Sequence, residues 1–228
     1  MKKTILSILI LLVFSSNTSA HLDHYSNFKK LEYELFRNNK LIGYHNYFFD
    51  KKKDELTVKS EVKFKIIKLG VDLYNYEANS VETYRNRLFH SFSSKTNQNK
   101  KEKYVNINFD KVKNKLIVDG SSYKGPAAVN NIVGTWWNHE IIKSKAQISA
   151  ISGRIIGQNV TFIGKEVVSI NGKVYQALHF NFSSSDETLP EKKKLNTDIW
   201  YEENTYLWIK AAFNKQGKWE YRLKSTNK

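Results

Sequence analysis

Between Leu56 and Ile66 the chain alternates without a break. Leu56, Val58, Ser60, Val62, Phe64 and Ile66 take one phase, and Thr57, Lys59, Glu61, Lys63 and Lys65 take the other. A period of two marks an extended strand with one buried and one solvated face. That is the pattern of an antiparallel sheet with one side in water. The same alternation recurs at Leu31–Tyr33–Leu35, Val105–Ile107–Phe109, Val174 to Phe182, and Trp219–Tyr221–Leu223.

The breaks between these runs are short and carry turn residues: Asn38-Asn39, Lys51 to Asp54, Asn86-Arg87, Lys111 to Asn114, Asn171-Gly172 and Gln216-Gly217. Asn and Gly supply the positive φ angles of tight hairpin turns. Closely spaced strands joined by hairpins form a meander, because parallel strands need long crossovers. The pattern predicts an all-β protein of about ten to twelve strands. So many antiparallel strands must curl, close or split. The expected architecture is therefore a curled antiparallel meander sheet or half-barrel.

Two stretches depart from alternation. Residues 120–134, with Gly120, Gly125, Pro126, Asn130, Asn131 and Gly134, read as a long loop. Residues 135–143 read as one short helix, with Thr135 as N-cap and Trp137 and Ile141 four apart on one face. A polar loop surrounds Pro190 over 183–196. With no repeat and no linker, residues 21–228 are expected to form a single domain.

The first twenty residues carry a different pattern. Lys2-Lys3 precede an apolar run from Ile5 to Phe14, and Thr18-Ser19-Ala20 offers small residues for cleavage. This reads as a secretory signal peptide, too short for a membrane span. The mature protein is expected to begin near His21, in the periplasm or outside the cell. Cysteine is absent, which excludes disulfides, thiolate metal sites, a cysteine nucleophile and lipid attachment through an N-terminal cysteine. The formal charge is +15, carried almost wholly by Lys, with five Arg. Such a balance suits an anionic membrane surface or acidic lipid headgroups. No nucleic-acid-binding motif is present.

Three sequence features together carry a likeness. They are Arg37-Asn38-Asn39-Lys40-Leu41-Ile42-Gly43-Tyr44 ahead of the alternating strand, the central Trp136-Trp137-Asn138, and Asp198-Ile199-Trp200-Tyr201 near the end. In this order they resemble a family of uncharacterised secreted bacterial proteins, over roughly residues 28–224. The family places Pro after the Trp-Asn pair, where this chain has His139. No biochemical function comes with the resemblance. More distantly, the implied half-barrel with a helix against its concave face is similar to periplasmic lipoprotein carriers and other lipid-binding half-barrels, a likeness of fold only.

Catalytic signatures are missing: there is no glycine-flanked serine, paired-histidine zinc helix or phosphate loop. His45, His90 and His179 each fall in a strand and in no motif. No catalytic residue, metal site or cofactor is assigned, although His21 and His24 at the expected mature terminus hold nitrogens that could chelate copper. The leading expectation is a non-enzymatic exported protein that holds a lipid or other apolar ligand on the concave face. Trp136, Trp137 and Ile141 would sit at its mouth, with Phe64 and Ile66 on its wall. Two alternatives stand beside it. One is an envelope structural or interaction protein with a filled core, and the other is an outer-membrane β-barrel, whose strands also alternate.

Overall fold

The computed structural model describes Tyr25 and residues 27–228. The signal-peptide reading, His21 and His24 fall outside the described residues. The chain forms β1 (Lys30–Arg37), β2 (Lys40–Lys52), β3 (Glu55–Lys68), β4 (Val71–Arg85), β5 (Leu88–Gln98), β6 (Lys101–Asp110), β7 (Lys115–Gly120) and β8 (Lys124–Ala127). It continues as β9 (Ile132–Val133), β10 (Ala146–Ile148), β11 (Ile155–Ile170), β12 (Lys173–Ser184), β13 (Asn196–Glu202), β14 (Trp208–Asn214) and β15 (Lys218–Asn227).

All of these strands belong to one curled sheet, ordered β8-β7-β6-β5-β4-β3-β2-β1-β15-β14-β13-β12-β11-β10-β9. The chain meanders from β1 out to the β8 edge, crosses through residues 128–145, and meanders back from the β9 edge until β15 pairs with β1. Every pairing is antiparallel except β9 with β10. The edges β8 and β9 do not pair with each other, so the sheet is a half-barrel and the closed outer-membrane barrel is not formed.

The hairpins follow turn chemistry. Asn38-Asn39, Asn86-Arg87, Asn99-Lys100 and Asn171-Gly172 all have positive φ at both central positions, as type I′ turns require. The inner face of β3 is the apolar phase read from the sequence: Leu56, Val58, Ser60 and Phe64 are buried, and Val62 and Ile66 half-buried. Two apolar clusters fill the trough. The larger contains Leu31, Tyr33, Tyr47, Trp137, Ile199 and Trp208. The smaller contains Phe92, Val105, Ile107, Val118, Val133 and Ile148.

Three expectations need correction. The strands number fifteen, because the 120–134 segment holds β8 and β9, which pair with β7 and β10, and β10 follows just beyond it. The 135–143 helix shrinks to a 3-10 turn at His139–Lys143. Its cap is Asn138, whose side chain accepts from the Glu140 amide, and not Thr135. Thr135 and Trp136 cannot join a helix. Their carbonyls accept hydrogen bonds from the Tyr47 and Tyr201 hydroxyls, and Trp136 takes a left-handed φ of 62°.

Candidate functional site

The trough has two halves along the strands. In the lower half the crossing segment is pressed into the sheet. In the upper half, on the side of the β1–β2, β3–β4 and β14–β15 turns, inner-face side chains stay half-buried.

The lower half is organised around one carboxylate. Glu82 lies on the inner phase of β4, in line with Tyr76, Ala78, Ser80 and Tyr84, and it is buried. The Tyr84 hydroxyl donates to its Oε1 at 2.5 Å, and the Trp137 indole N–H to its Oε2 at 3.0 Å. The Thr135 hydroxyl lies 3.4 Å from Oε2. Asn138 donates in turn to the Tyr84 hydroxyl at 3.1 Å. Trp137 and Ile141 are fully buried, and the Trp137 ring meets Tyr25, Phe49 and Tyr84 edge-on. Burial pushes the Glu82 carboxyl up to about 7, although its three donors pull the other way. An opening of about 480 Å³ reaches this network past Asn130, Asn131, Glu140 and Lys143.

A left-handed φ at a tryptophan costs of order 1–3 kcal/mol, so the surroundings must hold Trp136 in place. The Tyr201 hydroxyl grips its carbonyl at 2.9 Å, and its ring packs on Trp208 and Tyr221, both at 5.5 Å.

In the upper half Phe64 is the centre. Its ring stacks on Tyr76 at 4.7 Å and on Tyr74 at 5.9 Å, and meets Trp219 edge-on at 5.2 Å. Phe64 belongs to β3 and Trp219 to β15, with β2 and β1 between them. The rings can meet because Gly43 stands opposite Phe64 on β2. A Cβ at Gly43 would lie 2.0 Å from the Lys63 carbonyl and 2.5 Å from the Phe64 Cβ. The Ile-Gly of the opening motif thus marks a close approach of β2 to β3. Phe213 stacks on Trp219 at 5.8 Å and Tyr221 lies 6.4 Å from Phe213. An aromatic ladder therefore runs from Phe64 through Trp219, Phe213 and Tyr221 to Trp136.

Between the halves runs a stripe of small polar groups. Ser60 and Ser80 face each other across β3 and β4, their hydroxyls 3.2 Å apart, and Ser94 stands next in the row. His45 Nε2 lies 3.3 Å from the Ser60 hydroxyl. Burial pushes His45 down to about 3, which keeps the imidazole neutral. No described group bonds its Nδ1, so the pair lacks the orienting acid of a nucleophilic triad.

A second histidine, His179, lies away from the trough. Its Nδ1 is 3.0 Å from Glu166 and its Nε2 3.0 Å from Asp198. The ring stacks on Trp200 at 4.2 Å, and the Lys210 ammonium sits 4.5 Å from the Trp200 ring centre. Asp198 and Trp200 of the Asp-x-Trp-Tyr motif build this staple across β11 to β14, while Tyr201 of the same motif holds the crossing segment. Among the described residues no group of three or more His, Asp or Glu side chains is arranged to hold a metal ion.

The structure thus gathers Trp136, Trp137 and Ile141 in the lower half, and Phe64 and Ile66 in the upper half. The ladder joins Trp136 to Phe64. Sequence reading passed over Glu82, Tyr84 and Tyr47, and took Tyr201 as part of the Asp-x-Trp-Tyr motif without its bond to the crossing segment. For Glu82 a partial signal was present: with Asp72 it shares the alternation of Tyr74, Tyr76 and Tyr84 along β4.

The family described as domain of unknown function DUF6134 matches residues 33–224. No curated protein shows significant similarity. Among solved structures, a beta-barrel-like protein of domain of unknown function DUF1849 from Brucella abortus superposes with a TM-score of 0.60 at 12% identity. That match covers 87% of this chain and 96% of the other, and it shows a shared fold. A DUF1329 family protein from Desulfovibrio piger aligns over 92% of this chain and 89% of its own, at 8% identity and a TM-score of 0.28, too low to carry an argument.

Proposed function

We propose that this chain, which belongs to the DUF6134 family, is an exported, non-catalytic binding protein. Its half-barrel would hold an apolar, lipid-like ligand along the upper half of the trough. One observation carries the reading. Val62, Ile66, Tyr74, Tyr76, Phe213 and Trp219 stay only half-buried around Phe64 in an otherwise packed interior. A concave aromatic wall of this kind favours burial of an alkyl chain, worth roughly 0.8 kcal/mol per methylene. Arg37, beside the Trp219 ring, lies at the open end, where an anionic headgroup would meet it. Export rests on the basic, apolar and small-residue order of residues 2–20. The non-catalytic reading is supported by the placement of His45, His90 and His179 on β2, β5 and β12, strands that are not neighbours.

The second reading, a filled-core interaction protein, has its own observation: Trp137 and Ile141 are fully buried in the lower half. Organic extraction of the purified protein separates the two. The ligand reading expects a co-purifying lipid and binding of a fluorescent fatty acid. Trp219→Ala should weaken that binding about tenfold, the worth of one large apolar contact. An empty extract together with no fatty-acid binding leaves the filled-core reading standing.

A further inference from the structure

The β3–β4 hairpin outruns its neighbours. Pairing of β2 with β3 ends at Gly43–Phe64, and pairing of β4 with β5 ends at Tyr76–Gln98. Beyond those points Lys65 to Leu73 is a two-stranded ribbon, steadied at its root by Asn99. The Asn99 side chain accepts from the Asn75 amide at 2.6 Å and donates to the Leu73 carbonyl at 3.2 Å.

This ribbon ends in apolar side chains that no described residue covers. Leu69 is 95% exposed, and Ile67, Val71 and Leu73 are 59%, 60% and 52% exposed. Soluble proteins usually blunt a projecting hairpin with charge or proline, and a cluster of bare apolar side chains marks an interaction site. The charge around the tip is positive: Lys65 and Lys68 stand against Asp72 alone within residues 65–73, while Lys63 pairs with Glu77 at 3.6 Å. Asp72 is occupied by Lys65 at 3.1 Å. On the adjoining β5–β6 turn follow Lys100 and Lys101.

We infer that the Ile67–Leu73 tip inserts shallowly into an anionic lipid bilayer, with Lys68 and the neighbouring lysines on the headgroups. Apolar side chains ringed by lysines match the two attractions that hold peripheral proteins on membranes, burial below the headgroups and charge at their level. A second copy of the chain fits less well. Tip against tip would oppose Lys68 to Lys68, and so small a ribbon falls short of the roughly 1,000 Å² that a specific protein interface needs. The inference stands apart from the trough reading, since the tip side chains point outside the trough's packed interior.

The test is co-sedimentation of the full chain with phosphatidylglycerol-containing vesicles and with pure phosphatidylcholine vesicles. Leu69→Asn combined with Val71→Thr removes the apolar tip. Asn tolerates the left-handed φ of 51° at position 69, and Thr keeps strand propensity at 71, so the thermal melt should not move. The expected result is binding to the anionic vesicles, weakened about tenfold by 0.5 M salt and by the double variant. No sedimentation with anionic vesicles, equal binding to neutral ones, or undiminished binding by the variant would overturn the inference. So would a solution dimer that the variant dissociates, which would assign the tip to a second copy. Failure of the trough reading would show as absent fatty-acid binding with vesicle binding intact.

Discussion

Glu82 shows how one residue can link packing to pH. Its carboxyl rises from 4.5 to about 7 because burial penalises the charged form more than its donors favour it. A raised carboxyl pKa means the folded state binds more protons than the unfolded one between those values. Its contribution is complete below pH 4.5 and is lost as pH rises through 7, a change of roughly 3 kcal/mol. His45 works in the opposite sense. Its pKa falls from 6.5 to about 3, so its contribution is complete above 6.5 and is lost on acidification through 3. The two slopes oppose each other near pH 5–6 and conceal Glu82 in the wild-type profile. Urea unfolding of wild type and Glu82→Gln at pH 5 and pH 8 separates them, since His45 is common to both. The variant should gain on the wild type by roughly 2–3 kcal/mol between the two pH values. Parallel profiles would mean that burial does not raise the Glu82 carboxyl.

Among the elements, the hairpins were legible and the crossing segment was not. Strands such as Leu56–Ile66 expose their faces through a period of two, and turns such as Asn38-Asn39 carry their own backbone preference. The segment at 135–143 has helical spacing, but its conformation is set by partners distant in the chain. The Tyr47 and Tyr201 hydroxyls take the Thr135 and Trp136 carbonyls, and nothing local in the sequence announces that. The candidate site was legible to the same extent. Trp136, Trp137 and Ile141 were found by their bulk, whereas the carboxylate that holds Trp137 lies more than fifty residues away on β4. Gly43 is an intermediate case. Its place in the opening motif was visible, but its reason is the approach of β2 to β3. Gly43→Ala forces a methyl against the Lys63 carbonyl and the Phe64 Cβ, and overpacking of this kind costs about 1–3 kcal/mol or more. A thermal melt should fall by several degrees, with loss of the Phe64–Trp219 contact visible in tryptophan emission. An unchanged melt and spectrum would show that the curl does not depend on that close approach.

At the scale of the whole molecule, the question is whether so long a sheet unfolds as one body. Its larger apolar cluster spans the middle of the strand order and the smaller one joins the two ends, β5–β8 with β9 and β10, and chains of this size often unfold in parts. The crossing segment argues for a single transition. Val133 and Ile148 belong to the smaller cluster, Trp137 and Ile141 to the larger, and Phe89 packs against both. Backbone and side-chain bonds tighten the link: Ser122 donates to the Ser152 carbonyl at 2.8 Å, and Ser94 to the Ala150 carbonyl at 2.5 Å. The segment therefore ties the β5–β8 flank to the β9–β11 flank without closing the barrel. The tryptophans make the matter measurable, because all five lie outside the smaller cluster. Tryptophan fluorescence reports the larger cluster and the Phe64–Trp219 contact, while far-ultraviolet circular dichroism averages every strand. The two urea transitions should coincide. Ile148→Ala, which opens a cavity in the smaller cluster at a cost of about 2–5 kcal/mol, should shift both midpoints together although no tryptophan touches that cluster. If circular dichroism moved while fluorescence stayed, the β5–β8 flank would be an independent unit and the crossing segment only its tether.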